Sequence, residues 1–135
     1  QLIFEVTECS NFCNAEQALH ILSQLQKMGV RIAIDDFGTG YASYARLKSV
    51  DADILKIDGD FIRNIVNNSL DYQIVASICH LARMKKMLVV AEYVETEEIR
   101  STVHALGIDY VQGYLIGRPA PLESLLETEA SCADA

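Results

Sequence analysis

The chain has 135 residues, 50% hydrophobic and 22% charged, with 11 Lys and Arg against 19 Asp and Glu and a net charge of −8. That balance suits one packed domain or part of a larger one and excludes a disordered tail. It also works against a broad grip on DNA, RNA or an anionic membrane, which needs clustered Lys and Arg, so an anionic substrate would need cations supplied locally.

The sequence opens at Gln1 inside an apolar run, with no Met and no basic-then-apolar secretory leader, and so reads as a piece whose earlier part lies elsewhere. No apolar stretch approaches the ~20 residues of a membrane span. A cytoplasmic location is expected, with any membrane tether of the parent protein carried by segments outside this sequence. Five short β-branched runs read as strands: Leu2 to Thr7, Arg31 to Asp35, Ile54 to Asp58, Leu88 to Glu92 and Tyr110 to Gln112. Helical periodicity fills the intervals at Ala15 to Met28, Tyr41 to Ser49, Leu70 to Lys86 and Thr96 to Leu106, with Gly29 and Gly107 as stops. Residues 1–127 form one domain on this reading, and 128–135 are a small, acidic, disordered tail. Cys9, Cys13, Cys79 and Cys132 make no CxxC pair and His20, His80 and His104 lie in helical segments, which argues against zinc and against a disulfide framework.

Repeated strand–helix units demand parallel strands. Alternation places Ile3, Glu5 and Thr7 on one face, with Ala33 and Asp35, then Ile54, Lys56 and Asp58, then Val90 and Glu92, then Tyr110 and Gln112. The opposite face is apolar throughout (Leu2, Phe4, Val6, Ile32, Ile34, Leu55, Ile57, Val89, Ala91) and is expected under helices. Strands of an open doubly wound sheet are covered on both faces and lack this polarity. A barrel accepts it, because charged groups gather at the C-terminal mouth. The predicted fold is therefore α/β, an incomplete TIM-type (β/α)8 barrel of about five strand–helix units, where a whole one takes roughly 250 residues. Its open edges and exposed inner face predict poor solubility or self-association for the chain alone.

Glu5, Glu8, Asp35, Asp36, Lys56, Asp58, Glu92, Glu95 and Gln112 collect at that mouth. Carboxylates so crowded repel, and hard divalent cations such as Mg²⁺ or Mn²⁺ remove the penalty. The Asp35-Asp36 pair suits a two-metal site for phosphoryl displacement. Lys56 reads either as an amine that positions water or a phosphate oxygen, or as a buried partner of Asp58 or Glu92. Gly38, Thr39 and Gly40 follow the acidic pair into a helix; singly, Asp36 and Thr39 read equally well as its caps. Recurrence at five strand ends is what points to chemistry.

The segments FEVTE (Phe4 to Glu8), DDFGTG (Asp35 to Gly40), LKID (Leu55 to Asp58), AEYVET (Ala91 to Thr96), and DYVQGY (Asp109 to Tyr114) with Pro119, in this order, resemble the EAL domain, the bacterial cyclic di-GMP phosphodiesterase. The resemblance implies a modified eight-fold barrel with two Mg²⁺ or Mn²⁺ ions, cutting cyclic di-GMP to linear pGpG. It implies metal binding by Glu5, Asp35, Asp36 and Glu92, catalysis by Glu92, Lys56 and Gln112, and substrate or loop support by Asp58, Glu8, Glu95, Gly38, Thr39 and Gly40. It further implies a homodimer through the DDFGTG loop region and an upstream sensor or cyclase domain. The family's Glu-Ala-Leu strand and a later metal-binding Asn lie upstream of FEVTE and outside this sequence, so the piece alone is expected to be inactive. Tyr93 replaces the family's usual Gly and, in alternate register to Glu92, is expected to point away from the barrel centre. The competing expectation is an inactive EAL-like module that binds cyclic di-GMP or a protein partner.

Overall fold

The structure, a computed structural model, describes residues 2–7, 15–38, 43–121 and 123–124. Five strands, β1 (Ile3–Val6), β2 (Arg31–Phe37), β3 (Ile54–Ile57), β4 (Leu88–Ala91) and β5 (Tyr110–Val111), form one parallel sheet in the order β1-β2-β3-β4-β5. A doubly wound sheet reverses its strand order at a switch point. This order never reverses, which is the winding of a barrel wall. Helices α1 (Ala15–Lys27), α2 (Ser43–Ser49), α3 (Gly59–Asn64), α4 (Ser69–Met84) and α5 (Glu97–Ala105) lie between the strands.

The apolar face packs as its sequence requires. Ile32, Ile34, Phe37, Leu55, Ile57, Val89 and Ala91 are buried with Val75, Ile78, Cys79 and Ala82 of α4 and Ile99 and Val103 of α5 in one core. Leu2 and Phe4 depart from the expectation, being 73% and 49% exposed. Phe4 lies in β1 and Leu2 just before it, and among the described residues this edge strand has only β2 beside it. Gly29 and Gly107 end α1 and α5 at φ 87° and 74°, the left-handed conformation that glycine enters without a Cβ clash.

Two features lie outside the sequence pattern. The run after β3 contains the short helix α3, whose N-cap is Asp58, with Oδ1 accepting the Asp60 amide at 2.8 Å. β2 extends two residues beyond its predicted end and changes register there: Ile34 pairs with Leu55 but Phe37 with Ile57. Two residues, Asp35 and Asp36, thus oppose Lys56 alone, a bulge made possible by Asp36 at φ 53°. Aspartate tolerates this conformation better than most residues.

Candidate functional site at the strand ends

The bulge decides the site. Strict alternation would send Asp36 to the helix side. With the extra residue, Phe37 returns to the apolar face, and Asp35 and Asp36 both reach the mouth. One carboxylate oxygen each from Asp35, Asp36 and Glu92 lies within 4.8 Å of the others. Glu92 stands one residue past the end of β4, and Lys56 reaches the same place from β3.

Lys56 is 6% exposed and meets three carboxylates: Glu5 Oε1 at 3.0 Å, Asp35 Oδ1 at 2.9 Å and Glu92 Oε1 at 2.9 Å. Of the partners expected for it, Glu92 is present, whereas Asp58 is turned to the cap of α3. Burial lowers the pKa of the ammonium, but the contacts with Glu92, Asp35 and Glu5 outweigh burial and hold it above its ordinary value. Burial raises Glu92, with Lys56 only partly opposing it. Asp36 is raised first by burial and then by the charges of Asp35 and Asp58.

Four carboxylates (Glu5, Asp35, Asp36, Glu92) against one ammonium leave three negative charges in this cluster when all are ionised. The buried Asp35 Oδ1 has the Lys56 charge near it but accepts no aligned hydrogen bond. An all-oxygen, over-charged set with a buried oxygen lacking an aligned donor fits hard divalent cations. Glu5 approaches the set through Lys56 and is not within the close group of three.

A cleft of about 1000 Å³ adjoins the cluster, with Asp36, Glu92, Glu95 and Gln112 in its wall. Glu95 and Gln112 are exposed there, Gln112 following β5. The close crossing beneath it depends on Gly113, where a Cβ would overlap the Val94 backbone. The Val94 amide donates to the Gln112 carbonyl at 3.0 Å. Gly38, at φ 111°, follows β2, while Glu8, Thr39, Gly40 and the tail 128–135 lie outside the described residues.

Arg63, Tyr93, Tyr114 and Arg118 also line the cleft, and the strand alternation singles out none of them for the site. Tyr93 corrects a specific expectation. Its φ of 54° breaks the alternation after β4, so the side chain joins the wall of the mouth instead of pointing away.

The EAL domain family model matches residues 1–119. The cyclic di-GMP phosphodiesterase PdeF of Escherichia coli strain K12 is 74% identical over 130 residues, covering 96% of this chain and 17% of PdeF. Among solved structures, the PaMucR phosphodiesterase in complex with c-di-GMP has a TM-score of 0.81 at 48% identity, covering 92% of this chain and 50% of that one. The manganese/cy-diGMP complex of Klebsiella pneumoniae BlrP1 has a TM-score of 0.81 at 35% identity, covering 89% of this chain and 31% of that one. The chain thus spans half or less of these proteins' length.

Proposed function

The chain belongs to the EAL domain family, and from that membership and the site's geometry we propose that it supplies the catalytic strand ends of a metal-dependent phosphodiesterase that hydrolyses cyclic di-GMP to linear pGpG. The observation that carries this reading is the bulge-built set Asp35, Asp36 and Glu92 beside the ion-paired Lys56. Asp35, Asp36, Glu92 and Glu5 would hold two ions, Mg²⁺ or Mn²⁺. Bound there, such ions neutralise the carboxylates, acidify water and polarise phosphoryl oxygens.

The chain's own residues divide the remaining work. Lys56 Nζ orients the attacking water. Glu92, raised by burial, takes the water's proton at a carboxylate oxygen as the new P–O bond forms and the P–O3′ bond breaks, and that proton ends on the departing O3′ as the 3′-hydroxyl of pGpG. Gln112 positions water or substrate from the cleft wall, and Asp58, through its cap of α3, supports that wall together with Glu95. By the family resemblance we also assign loop support to Glu8, Gly38, Thr39 and Gly40, and a homodimer to the DDFGTG region. We assign residues 1–127 to one barrel domain of a cytoplasmic protein with an upstream sensor or cyclase domain. No helix among the described residues is long and apolar enough to cross a membrane.

The test is product analysis of cyclic di-GMP incubated with Mg²⁺ or Mn²⁺ and either this chain alone or a complete barrel domain containing it. The complete domain should form pGpG and the chain alone should not, because five strands do not close a barrel and the ligand set is partial. A folded, metal-loaded complete domain that binds the dinucleotide without cutting it would shift the assignment to a binding module.

The pKa directions give a second expectation. Asp36 and Glu92 titrate higher folded than unfolded, so without metal they favour the folded state as pH falls through their folded pKa values and disfavour it above them. Metal binding requires both deprotonated. The rise in Tm on adding Mn²⁺ to the complete domain should be larger at about pH 7.5 than at about pH 5. Equal rises at both pH values would remove these two carboxylates from the ligand set.

A further inference from the structure

Tyr93 is a bulky residue at positive φ, an uncommon state that persists only where the surroundings over-determine it. Helix α3 supplies those surroundings. Gly59, at its first turn, leaves the space the ring fills, since a Cβ there would overlap the ring. Arg63, four residues on and so on the same helix face, lays its guanidinium over the ring, 4.0 Å from the centroid. Buried Ile62 and Ile65 anchor this stretch against the core. The result is a planar cation with one face held by an aromatic ring, in the wall of the cleft that also contains Asp36 and Glu92.

Charge says what such a cation is for. Three carboxylates already neutralise Lys56. The other cations among the described residues lining the cleft are Arg63 and Arg118, and Arg118 lies over Tyr114, 4.5 Å from its centroid. Arg63 is the one borne on a helix. Its contact with Asp60, at 3.5 Å and with Asp60 81% exposed, is the kind of surface pair that yields readily. A cyclic dinucleotide carries two phosphodiesters, and the carboxylate cluster with its metals can take only the scissile one. The other must rest elsewhere in an acidic cleft.

We propose that Arg63 binds the second, non-scissile phosphodiester of the substrate and that Tyr93 is the positioning residue that holds its guanidinium flat. The ring occupies one face of the guanidinium and leaves the edge of the N–H fork uncovered, so that donation to phosphate oxygens requires only that Nη1 give up its long contact with the exposed Asp60. This rests on reading the cleft as the cyclic dinucleotide site.

The complete domain is assayed as Arg63→Gln, Arg63→Lys, Tyr93→Gly and the Arg63→Gln/Tyr93→Gly double variant, with KM and kcat for cyclic di-GMP and its Kd in a Glu92→Gln background. Arg63→Gln should raise KM and Kd about tenfold with kcat within about twofold, the effect shrinking as salt is added; Arg63→Lys should recover part of the loss. Tyr93→Gly, which suits the positive φ, should raise both about threefold, and the double variant should be no worse than Arg63→Gln alone. Unchanged KM and Kd in a domain that still hydrolyses would overturn the proposal and leave the phosphodiesterase reading standing. A tenfold loss indifferent to salt would point to a neutral guanine edge and overturn the phosphate assignment. A domain that binds but does not hydrolyse would sink the phosphodiesterase reading, while the Kd ratios still decide this one; no binding at all overturns both.

Discussion

Glu92→Gln in the complete domain should lower kcat for cyclic di-GMP hydrolysis by about 10³-fold or more while leaving the fold intact. The substitution keeps the side chain's size at a position 12% exposed and removes one negative charge from the cluster. An amide neither accepts the water's proton nor offers a hard anionic ligand. The stability side of the argument separates this outcome from unfolding. Burial raises the Glu92 pKa, so the fold disfavours its charged form, and neutralising it relieves a cost. Against that, Lys56 loses one of three partners. The two effects oppose each other, and the net change should be within about 1 kcal/mol. Urea unfolding of both proteins, beside the kinetics, checks this. A variant of unchanged Cm that retained a tenth of wild-type kcat would take Glu92 out of the chemistry.

The alternation of strand residues was enough to place Glu5, Asp35, Lys56, Glu92 and Gln112 on one face, because parallel pairing in register preserves a period of two. That period held from Ile3 to Ile34 and from Ile54 to Ala91. It failed at two points, Asp36 and Tyr93, and both have positive φ. Nothing in a two-letter apolar/polar pattern announces a residue in the left-handed region unless it is glycine. The acidic pair was therefore legible as a cluster, but the bulge that lets both carboxylates face the mouth was not. Helix α3 escaped for another reason: at 6 residues it is shorter than two turns of periodicity. Its signal was local, Asp58 capping just before Gly59. Missing α3 meant missing Arg63, and with it the cation that meets Tyr93. The exposure of Leu2 and Phe4 was likewise hidden, since a strand's own residues do not say what covers them.

Lys56→Met should be the most destabilising single change in the mouth, costing about 3 kcal/mol in the metal-free complete domain. The methionine fills similar volume, so the loss is electrostatic. Asp35 and Glu92, at 15% and 12% exposure, would keep buried charges without a counter-ion, whereas Glu5, at 45%, is screened by water and contributes little. The sign with pH is fixed by the direction of the Lys56 shift. Its folded pKa lies above the unfolded one, so its stabilisation is complete below about pH 10.5 and fades only as pH rises through the folded value. The deficit of the variant should thus be constant through neutrality, and should narrow in acid as Glu92 takes up its proton. Millimolar Mn²⁺ should restore more Tm to the variant than it adds to the wild type, because the ion then supplies the charge that the ammonium no longer does. Thermal melts across pH with and without Mn²⁺ decide the matter. Equal Mn²⁺ effects in both proteins would mean that Lys56 and the metal do not share the same carboxylates, and the two-metal assignment of Asp35 and Glu92 would have to be withdrawn.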